Sequence, residues 1–266
     1  EHWWYKDYSN VRIIGLDSNW WYQIDEQLDW LENLLNTSCT DDNIDFVFAE
    51  LHHPHKSELW ISGETDYTGE VIERLENFST NCGKPSIHFF GHTHGYSRGQ
   101  SIDHQHLWVN VATAGGNIDY WDEYIQNDYD EFTISLSEWG FVILDVITGD
   151  NPQFTLRRVS RGNEYEFMDN TVRDVITIRQ FNDPPELPIA SFPIDESVAP
   201  DNFTLTAEPF EDINGDEHWF SQWQIANNCE SFTSPIIDKY ESHENWYHEE
   251  NTQVGNSLID ESFSGL

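Results

Sequence analysis

Two short histidine clusters, each delivered by an apolar run, constrain this chain more than any other feature. Asp45-Phe46-Val47-Phe48-Ala49-Glu50-Leu51 leads into His52-His53-Pro54-His55, and Ile87-His88-Phe89-Phe90 leads into Gly91-His92-Thr93-His94-Gly95-Tyr96-Ser97-Arg98. A short apolar run bounded by turn formers reads as a buried strand, and strand ends are where α/β folds place their chemistry. Pro54 rules out a helix as the origin of the first cluster.

Imidazole near neutral pH is largely uncharged and offers a lone pair to a borderline metal ion. Histidines one residue apart in an extended segment face one side, so His92 and His94 address one small volume. Gly91 and Gly95 leave the backbone free to bend around it. A lone His-x-His is as readily a pair of loop histidines bonded to backbone. A second cluster after a second apolar strand favours a metal cradle.

These blocks resemble those of the calcineurin-like metallophosphoesterases, in particular the purple acid phosphatase branch. Gly91 to Arg98 is similar to the family's Gly-His-x-His-x-Tyr-x-Arg block, and Leu51-His52-His53-Pro54 to its strand-end His-x-Pro block, in the family's order. The resemblance implies a dinuclear site for two divalent or trivalent ions (iron, zinc or manganese), with His92 and His94 on opposite ions and His52 on one of them. It also implies in-line attack by a metal-bound hydroxide on a small phosphate ester, as in a phosphatase or phosphodiesterase. His53 falls where the family varies and stands outside the implied ligands. His55 faces either substrate or water, and Tyr96 and Arg98 join it as candidates for substrate binding.

The family's upstream Asp block, its bridging Gly-Asp block and its Gly-Asn-His block with the catalytic histidine have no counterpart here. Gly149-Asp150, Gly162-Asn163-Glu164 and Gly215-Asp216 follow the histidine blocks instead of preceding them and read as turns. The expectation is therefore the C-terminal half of such an enzyme. The catalytic histidine then lies upstream in a missing N-terminal half, and these 266 residues alone do not turn over phosphate esters. The competing reading is a secreted, non-catalytic metal- or carbohydrate-binding scaffold with vestigial histidine blocks.

With 49 acidic against 12 basic residues, a formal charge of -37 repels nucleic acid and anionic membranes, so the small phosphate ester that the resemblance implies as partner must be drawn in by metal ions that locally reverse the field. No stretch approaches the roughly 18 consecutive apolar residues of a membrane span. The composition is that of a secreted, periplasmic or cell-surface protein. Cys39, Cys82 and Cys229 are too few for a disulfide framework and are not spaced for a metal; they allow one pair and an orphan.

The remaining pattern is α/β. Two strands joined at Ser9-Asn10 open the chain, and apolar residues at helical spacing predict helices over 23–36 and over 68–78, the second capped by Thr68. A strand is predicted over 106–114 with His104 and His106 exposed at its start. The aromatic, acidic segment 118–131 is either a substrate wall or surface packing. Alternation over 139–147, 154–160 and 172–179 predicts antiparallel strands completing the second sheet of a two-sheet βαβ metallophosphoesterase sandwich. Asn182-Asp183-Pro184-Pro185-Glu186-Leu187-Pro188 reads as a stiff linker. It separates a catalytic domain at 1–183 from a partial all-β sandwich at 187–266, in which the order of Trp223 and Trp246 resembles fibronectin type III-like modules.

Overall fold

The computed structural model describes residues 2–228, 231–242, 245–246 and 258–265, so Cys229 lies outside the described residues. The chain is mixed α/β and divides into two compact units, the first running to Phe181 and also taking in Trp246, the second beginning at Asn182.

In the first unit, β1 (Trp4–Tyr8) and β2 (Val11–Gly15) form an antiparallel pair. They are followed by α1 (Asp25–Cys39), β3 (Phe46–Glu50), α2 (Asp66–Cys82), β4 (Ser86–Phe90), β5 (Tyr96–Gln100), β6 (His106–Val111) and β7 (Phe132–Leu136). One sheet takes the order β1-β2-β3-β4-β6-β5-β7. Its neighbours β2, β3, β4 and β6 are parallel, so the loops after Gly15, Glu50, Phe90 and Val111 all leave at one edge.

The apolar strands are explained by burial on both faces, which leaves no position for a solvated side chain. From β3, Val47 and Ala49 enter a core with Leu28, Leu31, Leu34 and Leu35 of α1 and Val71, Leu75 and Phe78 of α2. Phe46 and Phe48 point the other way, with their rings 5.2 and 5.1 Å from Phe154. Phe154 belongs to a second, antiparallel sheet of β8 (Trp139–Ile147), β9 (Gln153–Gly162) and β10 (Phe167–Arg179), in which each predicted segment becomes a strand.

Both helices run past their predicted ends. Cys39 and Cys82 close the last turns of α1 and α2 with a disulfide, at a Cα–Cα distance of 5.3 Å. The cap of α2 is Thr65 and not Thr68. Thr65 Oγ1 accepts the Tyr67 N–H at 3.2 Å, while the fully buried Thr68 donates its hydroxyl to the His53 carbonyl at 2.9 Å. β5 and β7 escaped the sequence pattern because they are held by ladders more than by apolar faces; they pair through Ser97 and Ser135, both of which bond the buried Glu58 carboxylate.

His106 is not exposed. It is fully buried and forms part of a polar line between the sheet and α2, where Ser86 Oγ lies 2.7 Å from His106 Nδ1, and His106 Nε2 lies 2.9 Å from His88 Nδ1. The predicted strand over 106–114 stops at Val111.

The second unit is all-β. β11 (Ala190–Phe192), β12 (Asn202–Ala207) and β16 (Asp260–Ser264) form one antiparallel sheet, and β13 (Phe220–Ile225) pairs with β14 (Ile237–Ser242). Between β14 and β16 in the chain lies the two-residue strand β15 (Asn245–Trp246).

Candidate metal site

Three loops from the shared sheet edge meet at the histidines. The segment after β2 supplies Ser18, which is 1% exposed; its Oγ accepts the backbone N–H of His52 at 3.0 Å and of His53 at 2.9 Å. The segment after β4 is tied to the same loop, because Gly91 donates its N–H to the His52 carbonyl at 3.0 Å. His52 Nε2 then stands 3.1 Å from His92 Nδ1.

That separation fits a shared ion. Two nitrogens bonded at about 2.05 Å to one tetrahedral zinc lie roughly 3.3 Å apart. Ligand atoms of His52, His53 and His92 all fall within 4.8 Å of one another, the one such group of histidine, cysteine or carboxylate side chains among the described residues. Burial, followed by the neighbouring His53 and His52, pushes His92 down to about 4, so its ring is neutral at pH 7 with a lone pair to give.

His53 plays a different part. A hydroxyl has two lone pairs and one proton, and Ser18 Oγ has both lone pairs committed to the two N–H groups, so its proton goes to His53 Nδ1, 3.0 Å away. The ring proton of neutral His53 then sits on Nε2, which presents a donor. Burial, with His52 beside it, lowers the His53 pKa and favours that neutral form.

His92 adopts a left-handed backbone, φ 72°, which is strained for a residue with a side chain. The segment is therefore not extended at this point, and the alternation that would aim His92 and His94 into one volume is broken. Between them Thr93 turns inward, 1% exposed, to bond Ser57 Oγ, and its carbonyl accepts from Asn110 Nδ2 at 2.9 Å. His94 lies outside the three-histidine group. Its backbone N–H donates to Asp119 Oδ2 at 2.8 Å, and its Nδ1 stands 3.9 Å from Asp119 Oδ1.

The other candidate residues are placed as follows. The buried Nδ1 of His55 has no hydrogen-bond partner among the described residues, and its ring lies beside Trp108 at a separation of 6.2 Å. Tyr96 is fully buried and donates its hydroxyl to Asp174 Oδ2 at 2.7 Å. Arg98 forks onto the same carboxylate, with Nε to Oδ2 at 2.6 Å and Nη2 to Oδ1 at 2.9 Å. Desolvation of Asp174 is outweighed by Arg98 and these hydrogen bonds, so its pKa is lowered. The sequence pattern gave no signal for Ser18, Trp60 or Asp119. Trp60 stacks on His92 with ring centroids 4.8 Å apart.

No protein-family profile matches the chain, and no curated protein does. Among solved structures it is similar to a purple acid phosphatase isolated from yellow lupin (Lupinus luteus) seeds, at 17% identity and a TM-score of 0.47 over 66% of this chain and 32% of that one. It is also similar to GAP50, the anchor in the inner membrane complex of Plasmodium, at 14% identity and 0.43 over 65% of this chain and 54% of that one. A third likeness is to PhoD, at 11% identity and 0.43 over 66% and 42%. The chain thus spans about a third of the lupin phosphatase and about half or less of the other two.

Proposed function

We propose that this chain carries part of a metal-dependent phosphoesterase site, in which His52 and His92 hold one ion and His94, with Asp119 beside it, faces a second. The observation that carries the reading is the 3.1 Å approach of His52 Nε2 and His92 Nδ1 from two separate strand-end loops. The histidine blocks that resemble those of metallophosphoesterases support it. When bound, ions of this kind supply a water of lowered pKa and positive charge against phosphoryl oxygens. The protein's own contribution is orientation. Ser18 fixes the His52 and His53 backbone, and the His53 Nε2 proton is available to a phosphoryl oxygen or a leaving group.

Three neutral imidazoles offset none of the charge of two cations, so the reading also calls for anionic ligands besides Asp119. The disulfide between Cys39 and Cys82 suits an oxidising, extracellular or periplasmic setting, and no helix among the described residues is long and apolar enough to cross a membrane. The two sheets of the first unit are read as the family's sandwich, and the second unit as a fibronectin type III-like accessory module.

The test is metal content and hydrolysis of p-nitrophenyl phosphate and its bis ester, measured on the protein and on His52→Ala and His92→Ala. Loss of metal in both variants, together with whatever hydrolysis the parent shows, is the expected result. Unchanged metal stoichiometry in both would overturn the assignment.

A further inference from the structure

The segment after β6 is latched onto the loop that follows His52. Ile61 donates its N–H to the Ile125 carbonyl at 3.0 Å, and Asn127 donates to the Glu58 carbonyl at 3.0 Å. These two bonds bring Tyr124 against Trp60, with ring centroids 5.7 Å apart and planes at 41°. Trp60 in turn lies nearly parallel to His92, at 28°. The result is a continuous aromatic wall running outward from a candidate metal ligand, with Tyr124 49% exposed at its outer end. Gly63 allows the approach, since a β-carbon there would fall 2.8 Å from His92 Cδ2 and 2.9 Å from Trp60 Cε3.

Three basic side chains of the first unit are already paired, Lys56 with Glu131, Arg98 with Asp174, and Arg158 with the Glu138 carbonyl and Thr113. Trp60, stacked on His92, is a ring that the organic part of a ligand held at His52 and His92 would meet.

Resting on the phosphoesterase reading, we infer that Trp60 and Tyr124 form a stacking wall for the leaving group, and that the site prefers phosphate esters whose aromatic ring is borne directly on the ester oxygen. A ring one bond from that oxygen lies within reach of Trp60, which sits one ring's width from His92, whereas the base of a nucleotide stands a full sugar further out. Offset or tilted ring pairs add about tenfold in binding beyond the area they cover.

The test compares binding of non-hydrolysable benzylphosphonate, in which a methylene replaces the ester oxygen of phenyl phosphate, with that of methylphosphonate and the methylene phosphonate analogue of AMP to the zinc-loaded protein, by calorimetry. Bound zinc is measured alongside. Benzylphosphonate should bind about tenfold more tightly than methylphosphonate. That ratio should fall toward one in Trp60→Ala and in Tyr124→Ala and be retained in Trp60→Phe. Tyr124→Ala is the decisive variant, because Tyr124 touches Trp60 and its loss leaves the histidines in place, with zinc content unchanged. Equal binding of the benzyl and methyl compounds, or an unchanged ratio in Tyr124→Ala, would overturn the wall while leaving the phosphoesterase reading intact. Tightest binding of the AMP analogue would replace the directly attached ring with a nucleobase. Binding of none of the three to protein that holds zinc would remove the phosphoesterase reading and the wall with it.

Discussion

Gly63 lies so close to His92 that no side chain fits between them, for even a methyl group would sit 2.8 Å from the imidazole Cδ2. Gly63→Ala must therefore displace either His92 or Trp60. Zinc affinity should fall about tenfold, the usual result when a group that positions a ligand is disturbed, while the melting temperature changes little. Gly91→Ala provides the contrast, since its β-carbon would meet Ala112 Cβ at an ordinary 3.5 Å. Zinc titrations of the two variants check this, and equal affinities would show that the Gly63 contact does not position His92.

Ser18→Ala removes the one acceptor shared by the His52 and His53 N–H groups. Both bonds are part-buried, so water can partly replace the lost acceptor and each costs about 0.5–1.5 kcal/mol. Urea denaturation should therefore show a loss of about 1–3 kcal/mol. The Ser18→Thr variant, which keeps the hydroxyl, should recover most of it.

Asp174 ties Tyr96 and Arg98 to β10, and the Arg98–Asp174 pair is almost wholly out of water, with side chains 11% and 5% exposed. Removing one partner of such a pair takes away most of the compensation for burying the other, which costs up to about 3–5 kcal/mol. Asp174→Ala should lose that much stability, and Asp174→Asn, which retains the shape and part of the bonding, should lose less. Denaturant midpoints for the two variants decide it. If both fall within 1 kcal/mol of the parent, roughly the worth of an exposed pair, the network contributes nothing that solvent does not.

The buried pair His88 and His106 makes stability depend on pH. Burial holds His88 down at about 3 and His106 well below the ordinary histidine value, so both stay neutral in the folded chain. Unfolded histidines protonate near 6.5. Below that pH the unfolded chain binds more protons than the folded one, and stability falls as pH falls. The stabilisation is complete above about pH 6.5 and is lost progressively toward pH 3, at about 1 kcal/mol per pH unit for each histidine. Nearby His55 adds to the cost of charging His88. Melting temperatures recorded from pH 7 to pH 4 should slope downward with acid, and the slope should lessen in His106→Gln.

The central strands and both helices were legible in the sequence because a doubly covered sheet leaves its mark at every position, as in Phe46 to Ala49. The meeting of His52 and His92 was legible for a related reason: both follow parallel strands that end at one edge. Hidden from the sequence were features set by single backbone or hydrogen-bond choices. The left-handed φ of His92 redirects His94, and nothing in a Gly-His-Thr-His string announces it. Ser18 looked like a loop serine until its three hydrogen bonds were seen. His106 passed for a surface residue because an apolar strand with a polar start resembles an exposed edge, whereas Ser86 and His88 on the neighbouring strand give it partners inside.

The link between Cys39 and Cys82, at a sequence separation of 43, also makes a covalent ring out of the peptide between them, which contains β3, His52, His53 and nearly all of α2. His92, ten positions beyond Cys82, lies outside that ring. A protease that cuts once within the loop around Lys56 would not separate the two candidate ligands. The nicked chain would run as one band without reductant and as two with it, and it would keep both halves of the histidine pair on a single molecule.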